Sequence, residues 1–267
     1  FEYTARHTDK TSEYDATDFF VTGLPTDADY RTHSEYLYTG ISLKHTINDK
    51  FDHRLGLQRT DTDNQTQNDN PIDSITRATR DALRYQVNYY NAANRLSLLV
   101  ERETEKYEQR GPVSFFGDPN RNEDQNTNSV AAEYRYDGTR LHVSASTRRD
   151  HNNEFKNADS WRITSAFKLD EITLYGSLGE SVKNPTFTER FGFFTNFIGN
   201  PDLNPETSYQ WEIGVRSSLM DESLDLAATY FNANLKDEIN GFVYNFATGG
   251  FTSAHIEGES DRSGFEL

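Results

Sequence analysis

Apolar residues recur at every second position along most of this chain, and helical spacing is almost absent. Residues 34–47 place Leu37, Thr39, Ile41, Leu43 and Ile47 on one face. The same period of two continues at Phe51, Leu55 and Leu57, then at Leu83, Tyr85, Val87 and Tyr89, and at Leu96, Leu98 and Val100. It returns at Val130, Ala132, Tyr134 and Tyr136, at Leu141, Val143 and Ala145, and at Trp161, Ile163, Phe167 and Leu169. Ile172, Leu174 and Leu178 follow, then Tyr209, Trp211, Ile213 and Val215, and Leu224, Leu226, Ala228 and Tyr230. Alternation of this kind predicts strands with one apolar and one polar face. An opening strand through Phe1, Tyr3 and Ala5 and a closing one over about 251–267 bring the expectation to about twelve; the parity of the closing strand stays open, because Ile256 and Phe265 disagree.

The connections sort by length. Short turns fall at 48–50, 91–94, 137–139, 170–171 and 220–223. Long polar stretches fall between them, at about 9–31, 61–78, 109–127, 150–159 and 182–206. A last short turn near 247–250 breaks the order. Strict alternation puts every short turn at one end of the sheet and every long loop at the other. The predicted fold is all-β: an antiparallel up-and-down transmembrane β-barrel, apolar outside and polar inside. The centres of the apolar faces carry no Asp, Glu, Lys or Arg, and Arg59, Arg102 and Arg149 share their parity only toward the loop ends. Each charge at the midplane of a barrel would cost roughly 2–4 kcal/mol.

Composition narrows the picture. Only 34% of the 267 residues are hydrophobic, and no run is long enough for a membrane-spanning helix. The formal net charge is −16, which argues against a nucleic-acid partner, since phosphate binding needs a basic face. There is no Cys, so thiolate metal sites and disulfides are absent. The chain opens on Phe1 without a signal peptide and stops at SGFEL in mid-strand, so it reads as a piece of something longer.

One block is more particular. Residues 181–215 read SVKNPTFTERFGFFTNFIGNPDLNPETSYQWEIGV. Pro201 and Pro205 fix φ, and Gly199 and Asn200 tolerate positive φ, so the chain is stiffened as it re-enters the sheet. Glu206 is placed to accept backbone N–H groups at the loop base. Trp211 then faces outward and Glu212 inward. The run Lys183-Asn184-Pro185-Thr186-Phe187, the run Gly199-Asn200-Pro201-Asp202-Leu203-Asn204-Pro205-Glu206 and the pattern Tyr209-x-Trp211-Glu212-x-Gly214 resemble the TonB-dependent outer-membrane receptor family. The ending Arg262-Ser263-Gly264-Phe265-Glu266 resembles a second strand motif of that family. The resemblance implies a 22-stranded barrel plugged by an N-terminal domain, of which residues 1–267 would be a central barrel segment without plug or C-terminal strands. It also implies residence in the bacterial outer membrane, contact with membrane lipid, and TonB-energised import through a missing N-terminal region. The implied ligands are bulky scarce nutrients: ferric siderophores, haem or cobalamin.

Candidate ligand contacts are the loop residues Arg190, Phe191, Phe193, Phe194, Asn196 and Phe197, with Phe115 and Phe116 as a second pair. Exposed aromatics on a rigid scaffold can stack on a flat or greasy ligand; the same rings could equally pack loop on loop. Asp61-Thr62-Asp63-Asn64 begins like a calcium loop, but Thr66 and Ile72 stand where Gly and Glu are needed, so a solvated loop is expected. His45 and His53 flank the turn at 48–50 symmetrically and should be cross-strand neighbours on the outer face. No nucleophile elbow, phosphate loop or zinc signature is present, so no catalytic or metal residue is assigned. The rival readings are a soluble all-β carbohydrate-binding module, an outer-membrane enzyme and a passive porin.

Overall fold

In the computed structural model, the residues described are 1–18, 21–68, 74–113, 118–192, 197–219, 223–247 and 249–267. The strands are β1 (Glu2–Thr17), β2 (Pro25–Asn48), β3 (Phe51–Gln67), β4 (Ser74–Asn91), β5 (Asn94–Arg110), β6 (Arg121–Asp137) and β7 (Leu141–Asn152). They continue as β8 (Ala158–Leu169), β9 (Ile172–Lys183), β10 (Glu206–Leu219), β11 (Leu224–Lys236), β12 (Ile239–Asn245), β13 (Gly250–His255) and β14 (Glu259–Glu266). One short helix, α1 (Phe187–Phe191), interrupts them. Twelve strands form a single antiparallel meander in the order β1 to β11 followed by β14. The hairpin β12–β13 stands apart as a two-stranded sheet.

This arrangement corrects the expected closing strand. Residues 250–255 and 259–266 belong to different sheets, and only the second pairs with β11. The short turn near 247–250 is therefore the tip of a hairpin inside one long connection, 237–258. With that change, short and long connections alternate without exception. Tyr230 faces Phe265 with ring centroids 4.7 Å apart, which assigns Phe265 to the apolar face.

The long loops are shorter than the polarity of the sequence suggests, because the strands run on. β2 has 24 residues, roughly 80 Å at about 3.4 Å per residue, whereas a tilted membrane strand needs about 9–11. Beyond the apolar band both faces are polar, and the alternation disappears from the sequence although the ladder continues. Asp61 and Asp63 lie in β3 rather than in a loop. Asp61 is 2.9 Å from Arg59, and Asp63 is 2.7 Å from Arg77.

The two faces differ as expected. Leu98, Val100, Val130, Ile213 and Leu226 are 51–62% exposed, and nothing among the described residues covers that face. So extensive an uncovered apolar surface is foreign to a soluble monomer, and it removes the sandwich in which two such faces would meet. His45 and His53 are cross-strand partners there, with Nδ1 of His45 3.0 Å from Nε2 of His53. The polar face carries bridges between strands two apart, as on the inside of a curved sheet. Arg148 on β7 reaches the buried Glu101 on β5, which Arg84 on the adjacent β4 also meets. Arg162 lies 3.3 Å from Glu212, which also accepts from Ser177.

The motif glycines have a steric reason. Tyr175 lies across Gly214, its cross-strand partner, and its hydroxyl meets Thr229 on the next strand at 2.6 Å. Phe231 lies across Gly264 in the same way. An aromatic ring covering a strand glycine restores the packing that the missing side chain gives up. Gly214→Ala is expected to evict Tyr175 and lower barrel stability by about 1–3 kcal/mol, and Tyr175→Ala in the same chain should recover part of that loss. The unfolding midpoint of detergent-solubilised barrel in urea checks it; additive losses would refute the pairing.

Candidate ligand-capture site

All the long connections lie at one end of the sheet, and the longest two interlock there. The connection 184–205 leaves β9 and re-enters β10 through a closed base. Lys183 Nζ lies 2.7 Å from Glu206 Oε1, and that same oxygen accepts the backbone N–H of Ile239 at 2.9 Å. Glu206 thus ties the base of one loop to the start of the hairpin, in the role that the sequence suggested. Burial alone would push the Lys183 ammonium down, but Glu206 and Glu189 hold it above its ordinary range. The Lys183 ammonium therefore stays charged across physiological pH.

Past Pro185 the chain turns into α1. Thr186 is its N-cap, and Thr186 and Glu189 form a capping box: Thr186 Oγ1 accepts from Glu189 N at 3.2 Å, and Glu189 Oε2 accepts from Thr186 N at 2.8 Å. The helix leans over the polar face. Phe187 stacks on Tyr107 of β5, with centroids 5.3 Å apart and planes 6° apart. Tyr107 is buried, which pushes its phenol up, and its hydroxyl donates to Gln109 at 2.7 Å. The β9–β10 connection thus reaches a strand four places away across the inside of the sheet.

Arg190 is the next joint. It is only 3% exposed. Its guanidinium donates to the backbone carbonyl oxygens of Glu154 at 3.0 Å and Pro201 at 3.2 Å, with the Glu154 carboxylate at 3.5 Å. It also lies over the rings of Phe191 at 4.8 Å and Phe155 at 5.6 Å. Gly192 and Gly199 then meet backbone to backbone. Gly199 has φ +71°, and a Cβ there would strike Phe191 and Gly192. Asn200 does not use the positive φ allowed for it. It works by hydrogen bonding instead: its N–H donates to Glu189 O at 2.9 Å, its Nδ2 to Ser253 O at 3.1 Å, and its Oδ1 accepts from Asp202 N at 3.0 Å.

The hairpin β12–β13 packs against this frame. Phe197 and Leu203 are each 1% exposed. Phe197 stacks on Phe242 at 5.9 Å, and Phe242 on Phe251 at 4.1 Å. Thr252 Oγ1 donates to Gly199 O at 2.8 Å. His255 accepts the N–H of Asn204 on Nε2 and lies 2.8 Å from Asp237 O on Nδ1, so the two nitrogens have opposite roles and the ring is neutral in this arrangement. On the outside, Phe242, Tyr244 and Phe246 are 54%, 46% and 91% exposed. Phe246 meets Tyr244 edge-on at 4.9 Å.

The sequence-based candidates thus divide. Arg190, Phe191 and Phe197 are brought together, but Arg190 and Phe197 are buried in holding one loop to another. Phe193, Phe194 and Asn196 lie outside the described residues, as do Phe115 and Phe116. The exposed aromatic surface is Phe242, Tyr244 and Phe246, which the sequence reading passed over. The signal was there: Phe242, Tyr244 and Phe246 alternate into a turn ending Gly249-Gly250, as a hairpin does.

Below the loops the polar face forms a concavity of about 500 Å³, bordered by Gln86, Glu133, Arg148, Asp150, Arg162 and Gln210. Its hydrogen-bonding groups are held in place by the Glu101 and Glu212 clusters. Elsewhere, His33 stands between Asp9 and Glu35, each 3.5 Å from a different ring nitrogen. The ligand atoms of the three residues lie within 4.8 Å of one another, and Thr11 Oγ1 also approaches His33 Nδ1 at 3.2 Å.

Comparison with known proteins agrees with this architecture. The family model described as "TonB dependent receptor-like, beta-barrel" matches residues 1–267. The chain is similar to the vitamin B12 transporter BtuB of Photobacterium profundum, with 26% identity over 180 residues, 66% of this chain and 28% of the relative. In fold it is similar to the siderophore receptor PirA of Pseudomonas aeruginosa, with TM-score 0.69, 16% identity, 98% of this chain and 53% of that one. It also resembles the haemophore receptor HasR of Serratia marcescens, solved with its haemophore HasA and haem, with TM-score 0.65, 16% identity and coverage of 98% and 55%. The chain thus spans about a quarter of the transporter and about half of the two solved receptors.

Proposed function

The chain belongs to the TonB-dependent receptor β-barrel family, and from that premise we propose that it is the ligand-capturing part of an outer-membrane importer. Its apolar face meets membrane lipid. Its polar face lines a lumen shared with the strands and plug that a whole receptor of this family would add. The long-loop end points outward and takes up a bulky scarce nutrient, a ferric siderophore, haem or a cobalamin, for TonB-energised passage. The protein works by binding and transport, not catalysis.

One observation carries this reading. The two longest connections lock together across the polar face and present an aromatic surface at the mouth. Loops tied together over the polar face suit capture of a ligand, and α1 reaches from the end of β9 to Tyr107 on β5 across that face. Phe242 and Phe246 supply flat apolar area, and Tyr244 adds a hydroxyl for orientation. The named relatives are a vitamin B12 transporter, a siderophore receptor and a haemophore receptor solved with its haemophore and haem.

The test uses the full-length product in outer-membrane fractions. Unboiled protein should migrate faster than boiled protein on a denaturing gel, and cells starved of iron or cobalamin should take up one of these ligands through it. Phe246→Ala with Phe242→Ala is expected to weaken ligand binding by roughly tenfold or more, as loss of two stacking rings should, without altering the gel shift. Uptake unchanged in that variant would remove the hairpin from the capture site. A soluble product without a gel shift would remove the barrel.

A further inference from the structure

The apolar face changes character along one edge. Arg102 on β5, Asn128 on β6 and His151 on β7 are successive cross-strand partners and so form one row. The row on its turn side holds Val100, Val130 and Arg149. These residues, with Leu55, Leu83 and Tyr85, border a groove of about 550 Å³ on the outer face. Its walls are apolar and its head is basic.

The head is also short of anions. Arg102 is exposed and has no ion pair among the described residues. Arg149 meets only Asp159, at 3.3 Å, with both side chains above 60% exposed; so open a pair is worth little and is readily exchanged. His151 uses Nδ1 toward Asn157, 2.8 Å away, and its Nε2 meets no partner among the described residues. In a chain of net charge −16, two guanidiniums facing a membrane with one loose carboxylate between them are out of keeping.

Height agrees. From Tyr136 to Asn128 is eight residues of β6, roughly 27 Å of strand and roughly 21 Å of height at a tilt of about 40°. The apolar band of an outer-membrane barrel is about 25 Å tall. Tyr136 lies at the turn-end rim, so the Arg102 row sits at the opposite boundary, level with the headgroups of the outer leaflet.

We propose that this groove is a lipid site. It holds an acyl chain of a phosphorylated glycolipid of the outer leaflet along Val100 and Val130, with the phosphate bound by Arg102 and Arg149. The two strands are roughly 10 Å apart, within reach of two long side chains converging on one anion. Guanidinium suits the task because its fork matches phosphate oxygens, and a phosphate so bound neutralises charge at the hydrocarbon edge. The proposal rests on the outer-membrane reading.

The experiment takes full-length receptor extracted from outer membranes in mild detergent and measures co-purified phosphorylated glycolipid per protein by mass spectrometry. Arg102→Ala with Arg149→Ala should lower it about tenfold, while Arg135→Ala, on the polar face, should leave it unchanged. Enzymatically dephosphorylated glycolipid added back to delipidated receptor should be retained as poorly as native lipid is by the double variant. Equal lipid in wild type and double variant, with the gel shift intact, overturns the proposal alone. Full competition by millimolar inorganic phosphate also overturns it, because a free anion would then be the occupant. Absence of a gel shift in the wild type overturns the outer-membrane reading and the lipid site together.

Discussion

Leu98→Arg is expected to abolish assembly of the barrel in membranes while a polar-face change beside it, Ser97→Arg, leaves most of it intact. Leu98 lies midway along the apolar face, between the Tyr136 row at the turn end and the Arg102 row at the loop end. It is 52% exposed. In water, arginine at so open a site would be harmless or would improve solubility. In a bilayer, the same charge near the midplane costs roughly 2–4 kcal/mol, some thirty- to several-hundred-fold in the folded fraction. Ser97 is buried in a polar cluster: it donates to Asn88 Oδ1 at 2.7 Å, beside Arg95. A long cation there disturbs neighbours but can reach the watered lumen. Folding into lipid vesicles, read as the fraction of faster-migrating band, measures both. Normal folding of Leu98→Arg would mean that the apolar face does not meet lipid.

That contrast depends on which residue faces where, and the facing was legible in the sequence. The parity of Leu96, Leu98 and Val100 against Ser97 and Leu99 needs only the pleat of a strand, and one slip of register would invert it. What could not be read is equally physical. Beyond the membrane band there is no lipid to impose alternation, so β2 and β3 continue as ladders through sequence that looks like loop. Asp61 and Asp63 sit in the β3 ladder, paired with Arg59 two residues earlier and with Arg77 on the next strand. The turn of the hairpin β12–β13 was legible near 247–250, but its second strand was merged with the closing strand, because the two follow in one unbroken run of polar and aromatic letters. Only the rule that long and short connections alternate would have separated them.

At the loop end, legibility stops for another reason. Glu206 could be assigned to the loop base from its place after Pro205, since Lys183 is its partner on the adjacent strand; its bond to the N–H of Ile239, 33 positions away, was not legible. Phe187 on Tyr107 spans 80 positions, and Arg190 on Glu154 spans 36. No periodicity encodes such a contact. The motif containing Pro185, Thr186 and Gly199 marks the place. Its physical content is a capped turn of helix, a positive-φ glycine packed on its own loop, and an asparagine that ties three segments.

Arg190→Ala is expected to free those segments without unfolding the barrel. The side chain is buried, and its removal leaves the carbonyl oxygens of Glu154 and Pro201 without their donor. Glu154 and Pro201 are exposed residues, so water can replace part of what their carbonyls lose; the larger loss is the buried guanidinium's packing over Phe191 and Phe155, and 184–205 should open locally. Arg190→Lys should fail to rescue it. An ammonium is a point donor; it cannot serve two carbonyls in different loops while lying flat over Phe191 and Phe155. The barrel's own ladders are untouched, so the gel shift and the urea midpoint stay near wild type. Ligand binding, by contrast, should fall by about tenfold or more, because Phe242 and Phe251 lose the Phe197 support that the closed loop provides. Limited proteolysis separates the cases: cleavage within 184–205 should appear in Arg190→Ala and Arg190→Lys and not in wild type. If all three resist equally and bind equally, Arg190 does not hold the mouth together, and its guanidinium would then be free for the ligand contact that the sequence first suggested.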